Sequence, residues 1–351
     1  MKKIFVNGYG SIGSRIASFL MDDSEITVIG VGKYSPDEGV NQAISRGLDV
    51  YVPKDRLAKF AGYDVAGTIE TALDDSDLVI DASPGGMGFR NKQDLYVPRD
   101  MMAIYQGGES ISGNMAVSDL LFNSRVNYDH IAGKKHIMQG SCNVTGMGRV
   151  IEPLRIKYGS RISRFDVTLI RRWADIEQKD KQILDTIEMS ENPHHGDDAK
   201  TYLGGATPLF VRAVKVPTRQ MHLHIMDVRF EKKAPEPSEI HDVFADEFGV
   251  ARLWTAKGTK DVRDYAYTMG FNFTDTNMLH IHANMTASIG DTIQIIYSDD
   301  QTGIVIPENH MLLQAMLFKR SYDEAFSHTE SVFHMKEKKT KLESHFAKNT
   351  D

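Results

Sequence analysis

The chain holds a single thiol, Cys142, and its neighbours give that thiol a chemical context. It stands in Gly140-Ser141-Cys142-Asn143-Val144-Thr145-Gly146, directly after a short strand pattern, His136 to Met138. A free cysteine is often an inert buried residue. Here small neighbours leave room for a substrate, and a helix starting near Asn143 would turn its first N–H groups on the sulfur. Those groups would stabilise a thiolate and a developing oxyanion, so the pattern predicts a nucleophile. A thiol mechanism needs a base, and histidine titrates nearest neutrality. Among 13 histidines two pairs stand out. His222 and His224 lie two apart in a strand pattern and so share a face. They are either the base, with His222 favoured, or hydrogen-bonded core residues. His194 and His195 fall in a polar, irregular stretch from Trp173 to Gly205 and suit substrate gripping. Arg171-Arg172 close a strand pattern and are either anion-binding or surface residues. One cysteine and scattered histidines give no zinc-ligand spacing, so no metal is expected.

A second motif lies at the start. Gly8-Tyr9-Gly10-Ser11-Ile12-Gly13 matches G-x-G-x-x-G between a strand pattern, Lys3 to Asn7, and a helical one, Ile12 to Met21. In that setting the first glycine permits the turn, the second lets a pyrophosphate approach, and the third lets helix and strand pack closely. The phosphates then sit on the helix N-terminus. The acid that usually holds the ribose of NAD about twenty residues further on is missing. Lys33 stands near its place, either as a solvated surface charge or as a cation tolerant of a 2′-phosphate. NADP, NAD or both are the expected cofactors.

Strand patterns at Glu25 to Val31, Leu78 to Asp81 and Met102 to Tyr105 extend the first half, each ending near glycine or proline. Alternation of this kind predicts an α/β fold, a Rossmann-type doubly wound parallel sheet whose ligands bind beyond the strand carboxyl ends. The second half carries longer strands, Arg164 to Ile170, Leu209 to Val216, Met221 to Phe230 and Thr292 to Tyr297, and predicts an α+β domain with a mostly antiparallel sheet. The expected division is a dinucleotide-binding domain at 1–140, with a helix at 307–321 packing back on it, a catalytic domain at 141–306, and a charged C-terminal extension at 322–351. Hydrophobic residues make up 41% and charged residues 25%, a globular balance. The net charge of -7 leaves no basic excess for nucleic acid, and no apolar run approaches the roughly 18 residues of a membrane span. The opening residues read as a first strand rather than a signal peptide, and with one cysteine they place the protein in the cytoplasm.

Taken together, these residues resemble the archaeal-type (type II) phosphorylating glyceraldehyde-3-phosphate dehydrogenases. The shared features run nearly the length of the chain. They are Val6-Asn7-Gly8-Tyr9-Gly10-Ser11-Ile12-Gly13, Asp81-Ala82-Ser83-Pro84-Gly85-Gly86, Gln106-Gly107-Gly108-Glu109 and Ser141-Cys142-Asn143 with Thr145-Gly146. Arg171-Arg172, His194-His195-Gly196, Met221-His222-Leu223-His224 and Ile304-Val305-Ile306-Pro307-Glu308-Asn309 continue the series. The resemblance implies that Cys142 is the nucleophile and that Ser141, Asn143, His194 and His195 bind substrate. It implies that Ser11, Ile12, Gly108, Arg172 and Gln301 contact the cofactor. It further implies a homotetramer, dual NAD/NADP use, and oxidation of glyceraldehyde 3-phosphate with inorganic phosphate to 1,3-bisphosphoglycerate, reversible between glycolysis and gluconeogenesis. The alternatives are another thiol-dependent dehydrogenase, such as aspartate-semialdehyde dehydrogenase, or a nucleotide-binding regulatory protein without turnover. Trp173, Gly148 and the loop Asp175 to Met189 depart from the family pattern.

Overall fold

The computed structural model describes residues 1–106, 108–173, 182–190, 193–205 and 207–348. The chain divides into two compact units, Met1–Ser141 with Ile306–Val332, and Cys142–Val305 with Phe333–Asp351. Among the described residues no helix is long and apolar enough to cross a membrane.

The first unit is built on a parallel sheet. Its strands are β1 (Lys2–Asn7), β2 (Ile26–Gly32), β3 (Val50–Val52), β4 (Gly67–Thr68), β5 (Leu78–Asp81), β6 (Met102–Tyr105), β7 (Leu121–Phe122) and β8 (His136–Gln139). They lie in the order β4-β3-β2-β1-β5-β6-β8-β7, every neighbouring pair parallel. Helices α1 (Ser11–Leu20), α2 (Glu38–Ser45), α3 (Ile69–Asp74), α4 (Met87–Asn91) and α5 (Ser124–Asn127) fall between strands. Strands in such sheets are covered on both faces and read as apolar runs; Leu78, Val79 and Ile80 of β5 and Ile4, Phe5 and Val6 of β1 are fully buried. The chain leaves β1 for one side of the sheet and later adds β5 on the other. The strand order therefore reverses between β1 and β5, and loops from their carboxyl ends meet at that reversal.

The second unit opens with α6 (Cys142–Tyr158) and holds a mixed sheet. Its strands are β9 (Ile162–Arg172), β10 (Glu188–Ser190), β11 (Leu209–Val216), β12 (His222–Phe230), β13 (Val250–Leu253), β14 (Leu279–His282), β15 (Ala287–Ile289) and β16 (Thr292–Asp299). Their order is β10-β11-β9-β12-β16-β14-β13, with β15 paired to β16; β9 with β11 and β13 with β14 are parallel, and the other pairs are antiparallel. Along β12 burial alternates strictly from His222 to His224, Met226, Val228 and Phe230, the period-two pattern of a strand with one face in the core. Helices α7 (His195–Leu203), α8 (Pro237–Val243) and α9 (Thr259–Thr268) complete this part.

Near the C-terminus, α10 (Val305–Leu313) carries Pro307 in its first turn, where a missing N–H costs nothing. It continues through wider turns over Gln314–Phe318 and stops at Lys319, whose φ is 57°. The charge-rich tail is not an appendage. It forms α11 (Tyr322–Phe333) and α12 (Met335–His345), which bury Ala325, Phe333, Met335 and Leu342. In the first unit His310 and His328 both hydrogen-bond one carboxylate oxygen of buried Asp23 at 2.9 Å, and in the second Lys338 donates to Asn277 at 2.8 Å. Apolar residues at helical spacing, with buried polar partners, fix these helices in the body of the protein.

Candidate active site

In the first unit the glycine motif turns the chain from β1 into α1. A methyl group at Gly8, where φ is 134°, would lie 2.3 Å from the Ala82 carbonyl oxygen. One at Gly13 would lie 2.0 Å from the Gly8 carbonyl oxygen. Both glycines are therefore set by packing against the ends of β1 and β5. Gly10 differs: nothing lies within 4 Å of where its methyl would be. It precedes α1 in extended conformation and its helix receives no side-chain cap. The open backbone beside an uncapped helix start is a cradle a pyrophosphate fits. The loop after β5 is a contrasting case. Glu109 accepts hydrogen bonds from the N–H groups of Gly86 and Gly88 at 2.8 and 3.0 Å, so an acidic side chain already takes the place of an anion at α4.

Beneath the glycine turn a polar network locks the strand ends. Tyr96 donates to Asp81 at 2.6 Å, Asn91 donates to the same oxygen at 2.9 Å, and Asn7 donates to the Tyr96 hydroxyl at 2.7 Å. At the end of β2, Lys33 is buried rather than solvated, and its ammonium donates to Asp37 at 2.7 Å. The same Asp37 oxygen accepts the Gly39 N–H and caps α2. Asp37 thus engages both the Lys33 ammonium and the start of α2. Gly108 sits in a turn with φ of 122° and open space around it; Gly107 lies outside the described residues.

In the second unit Cys142 is the first residue of α6, as its motif predicts, and is half-buried. The helix start does not make the resting sulfur a thiolate. Burial pushes the Cys142 thiol up to about 12, Asp299 adds to the rise, and Arg172, the Asn143 N–H and Arg171 oppose it. A helix terminus contributes about 0.3–1 kcal/mol, under one pKa unit, whereas burial can supply several.

Asn143 ties the thiol to its surroundings. Its amide nitrogen lies 3.7 Å from the Cys142 sulfur and 3.5 Å from His195 Nε2, and its carbonyl oxygen accepts from His224 Nε2 at 3.0 Å. His222 accepts the backbone N–H of Arg172 at Nδ1, at 3.3 Å. Burial holds His195, His222 and His224 below the ordinary imidazole range, with Arg171 or Arg172 adding to it, so all three are neutral. The histidine pair expected in an irregular loop instead begins α7. His195 is buried and His194 is exposed at the helix start, their rings stacked at 4.1 Å. Gln301 is buried, accepting the Met221 N–H at 2.7 Å and reaching the Arg219 carbonyl at 3.4 Å. The Ser141 hydroxyl, next in the chain before Cys142, has no hydrogen-bond partner among the described residues. Residues 174–181 of the divergent loop lie outside the described residues.

Asp299 was not among the residues singled out from sequence. It ends β16 directly opposite His222 in the ladder, so their side chains share a face. A ring nitrogen of His222, the Cys142 sulfur and an Asp299 oxygen all lie within 4.8 Å of one another. No local motif marks it; only the pairing of β12 with β16 brings it in. The cluster thus offers a thiol, neutral imidazoles, a carboxyl group and two arginines, the groups needed for covalent attack on a carbonyl carbon with proton transfer.

The chain is similar to proteins called glyceraldehyde-3-phosphate dehydrogenase in several archaea. It is 34% identical over 318 residues to the one from Halobacterium salinarum, covering 88% of this chain and 92% of that protein. It is 31% identical over 337 residues to that of Thermoplasma volcanium, covering 94% and 97%. With that of Methanothermus fervidus it shares 33% over 328 residues, covering 90% and 94%. No family model matches the chain.

Proposed function

Because the chain belongs to the glyceraldehyde-3-phosphate dehydrogenase family, we propose that it oxidises glyceraldehyde 3-phosphate through a thioester on Cys142. The observation that carries this reading is the buried cluster of Cys142, Asn143, His195, His222 and His224 in one unit. The Cys142 sulfur attacks the aldehyde carbon to give a hemithioacetal. His222, with His224 as the second candidate, takes the proton of the former aldehyde oxygen as the carbon is oxidised; His222 does so on giving up its 3.3 Å bond from the Arg172 N–H. When bound, the nicotinamide dinucleotide supplies the hydride acceptor. Inorganic phosphate then attacks the thioester and releases 1,3-bisphosphoglycerate. Splitting one hard step into two easier ones is the gain from the covalent intermediate.

Ser141, Asn143, His194 and His195 hold the substrate. Gly8, Gly10, Ser11, Ile12, Gly13, Lys33 and Gly108 hold the dinucleotide; Arg172 and Gln301 are cofactor contacts on the strength of the resemblance. On this reading the first unit is the dinucleotide-binding domain and the second the catalytic domain. Lys33 supports acceptance of NADP beside NAD, and its pairing with Asp37 tempers that preference. The resemblance supports a cytoplasmic homotetramer, which sedimentation velocity tests.

The deciding assay is phosphate-dependent reduction of NAD and NADP, side by side, with glyceraldehyde 3-phosphate. Turnover is expected only with phosphate present. Since Cys142 is the one thiol, iodoacetamide should abolish turnover and bound substrate should protect. Persistent turnover after complete alkylation, or substantial activity of Cys142→Ser, would sink the covalent mechanism.

A further inference from the structure

We propose that Asp299 is the group that takes the proton from the Cys142 thiol. The inference deepens the reading of Cys142 as nucleophile and rests on it. Geometry singles out the carboxylate. Asp299 is fully buried, and neither of its oxygens accepts a hydrogen bond from the described residues. Its nearest imidazole nitrogen, His224 Nε2, is 3.9 Å away. One oxygen lies within 4.8 Å of the sulfur, and catalytic hydrogen bonds often close only when substrate arrives. The helix above has made room for it: a methyl group at Gly146 of α6 would lie 2.8 Å from Asp299 Oδ2.

The histidine nearest the sulfur is otherwise committed. His222 Nδ1 accepts the Arg172 N–H, which puts the proton of the neutral ring on Nε2. His224 donates its Nε2 proton to Asn143. Among the described residues Nδ1 of His195 and of His224 are unpartnered too. Only His222 and Asp299, however, join the Cys142 sulfur in the set whose atoms lie within 4.8 Å of one another, and of those two Asp299 is the one with both acceptor atoms unpaired. The groups facing it are Cys142 from α6, His222 and His224 from β12, Arg172 from β9, Leu279 from β14, and Tyr297 and Asp300 on its own strand or just beyond. Asp300 is paired with Arg263 and accepts N–H groups from Thr302 and Gly303.

The same surroundings work against the usual order of proton affinity. Burial and the nearby Asp300 push the Asp299 carboxyl well up, against Arg172, while burial pushes His222 well down. Burial thus makes the Asp299 carboxylate a better proton acceptor and the imidazole beside it a poorer one. In the step, the S–H bond breaks and its electron pair stays on sulfur. The proton forms an O–H bond on Asp299. One negative group is present before and after, so the pocket gains no net charge on activation, which in a dry site is the less costly path.

The test is the pH dependence of Cys142 alkylation by iodoacetamide, measured on the full chain without cofactor or substrate. The thiolate is the reacting form. If the proton passes to Asp299, the thiolate fraction does not depend on pH between the two titrations of the pair, so the wild-type rate has a level region between them. In Asp299→Asn the proton must go to solvent, and the rate should climb about tenfold per pH unit with no level region. His222→Ala should keep the level region. A level region in Asp299→Asn, or its loss in His222→Ala, overturns the proposal. A reading that needs no variant is the infrared carboxyl band of the unmutated protein: a buried C=O band persisting above the ordinary carboxylate range is expected, and its absence counts against Asp299. If alkylation leaves turnover intact, the nucleophile reading fails, and the pH slope still decides where the thiol proton goes.

Discussion

Two glycines in one motif should separate stability from cofactor binding. Gly13→Ala adds a methyl 2.0 Å from the Gly8 carbonyl oxygen and 3.3 Å from the Ala82 side chain. Ordinary contact begins near 3.4 Å, so α1 must move away from β1 by more than an ångström. Alanine gains about 1 kcal/mol over glycine inside a helix. Overpacking costs about 1–3 kcal/mol, and a 2.0 Å approach to rigid backbone belongs in the upper half of that range, about 2–3 kcal/mol. The variant should therefore lose about 1–2 kcal/mol net, lowering the melting temperature by roughly 2–8 °C. Gly10→Ala meets nothing within 4 Å and starts from extended φ and ψ of -104° and -158°. It gains about 0.4–1 kcal/mol through the unfolded chain and loses a comparable few tenths at the helix cap, so its melting temperature should stay within about 2 °C of wild type. Its methyl would fill the space where a pyrophosphate passes. A clash worth about 1–3 kcal/mol raises the cofactor KM by roughly 5- to 100-fold. Calorimetric melting and initial rates at varied cofactor give both readings. An unchanged cofactor KM in Gly10→Ala would refute the placement of the pyrophosphate; an unchanged melting temperature in Gly13→Ala would refute the packing argument.

Asp37→Asn keeps the α2 cap, since asparagine caps as well as aspartate, and frees the Lys33 ammonium from its 2.7 Å partner. A partly exposed pair of this kind is worth up to about 1 kcal/mol. The ratio of kcat/KM for NADP over NAD should therefore rise roughly fivefold, and an unchanged ratio would move Lys33 away from the ribose. His222→Ala should lower kcat by ~100-fold with a modest change in KM, whereas His195→Ala, which loses the partner of Asn143, should mainly raise KM for the aldehyde or phosphate; the reverse pattern would exchange their roles. Burial holds His136, His195, His222, His224, His280, His282 and His310 below the ordinary imidazole range. The unfolded chain then binds more protons than the folded one as pH falls through about 6.5, so stability should drop steadily from about pH 7 towards pH 5. A flat melting temperature across that range would contradict the assignment of neutral buried histidines.

Much of this arrangement was legible in the residues because it is local. The glycine motif, the strand before it and the helix after it occupy adjacent positions, and β1, α1, β5 and β6 fall within a residue or so of their patterns. Cys142 at the start of α6 is equally local. Elements too short to show a period were missed: β3, β4 and β7 have two or three residues each, and only their parallel neighbours make them strands. The stretch around His194 and His195 looked irregular because Gly196, Asp197 and Asp198 are poor helix formers. Yet Ala199, Tyr202 and Leu203 bury one face of α7, and tertiary packing overrides propensity. The tail was misread for a related cause. Its charges dominate the composition, while the few residues that seat it, such as Phe333 and Leu342, are isolated in sequence.

The charge state of the site is a different matter from its location. A helix start and two arginines beside the sulfur suggest an easily ionised thiol, and each does act in that direction. Their sum is outweighed by burial, which depends on how α6 packs over β12 and β16 and so on contacts far apart in the chain. The same holds for the proton's destination. His222 is found by its spacing from His224, two positions along one strand. Asp299 is found only once the register of β12 against β16 is known, since a shift of one residue would turn its side chain to the other face of the sheet. A motif can therefore name the nucleophile. Where its proton goes is set by strand pairing, and that is the level at which substitution of Asp299 should be felt.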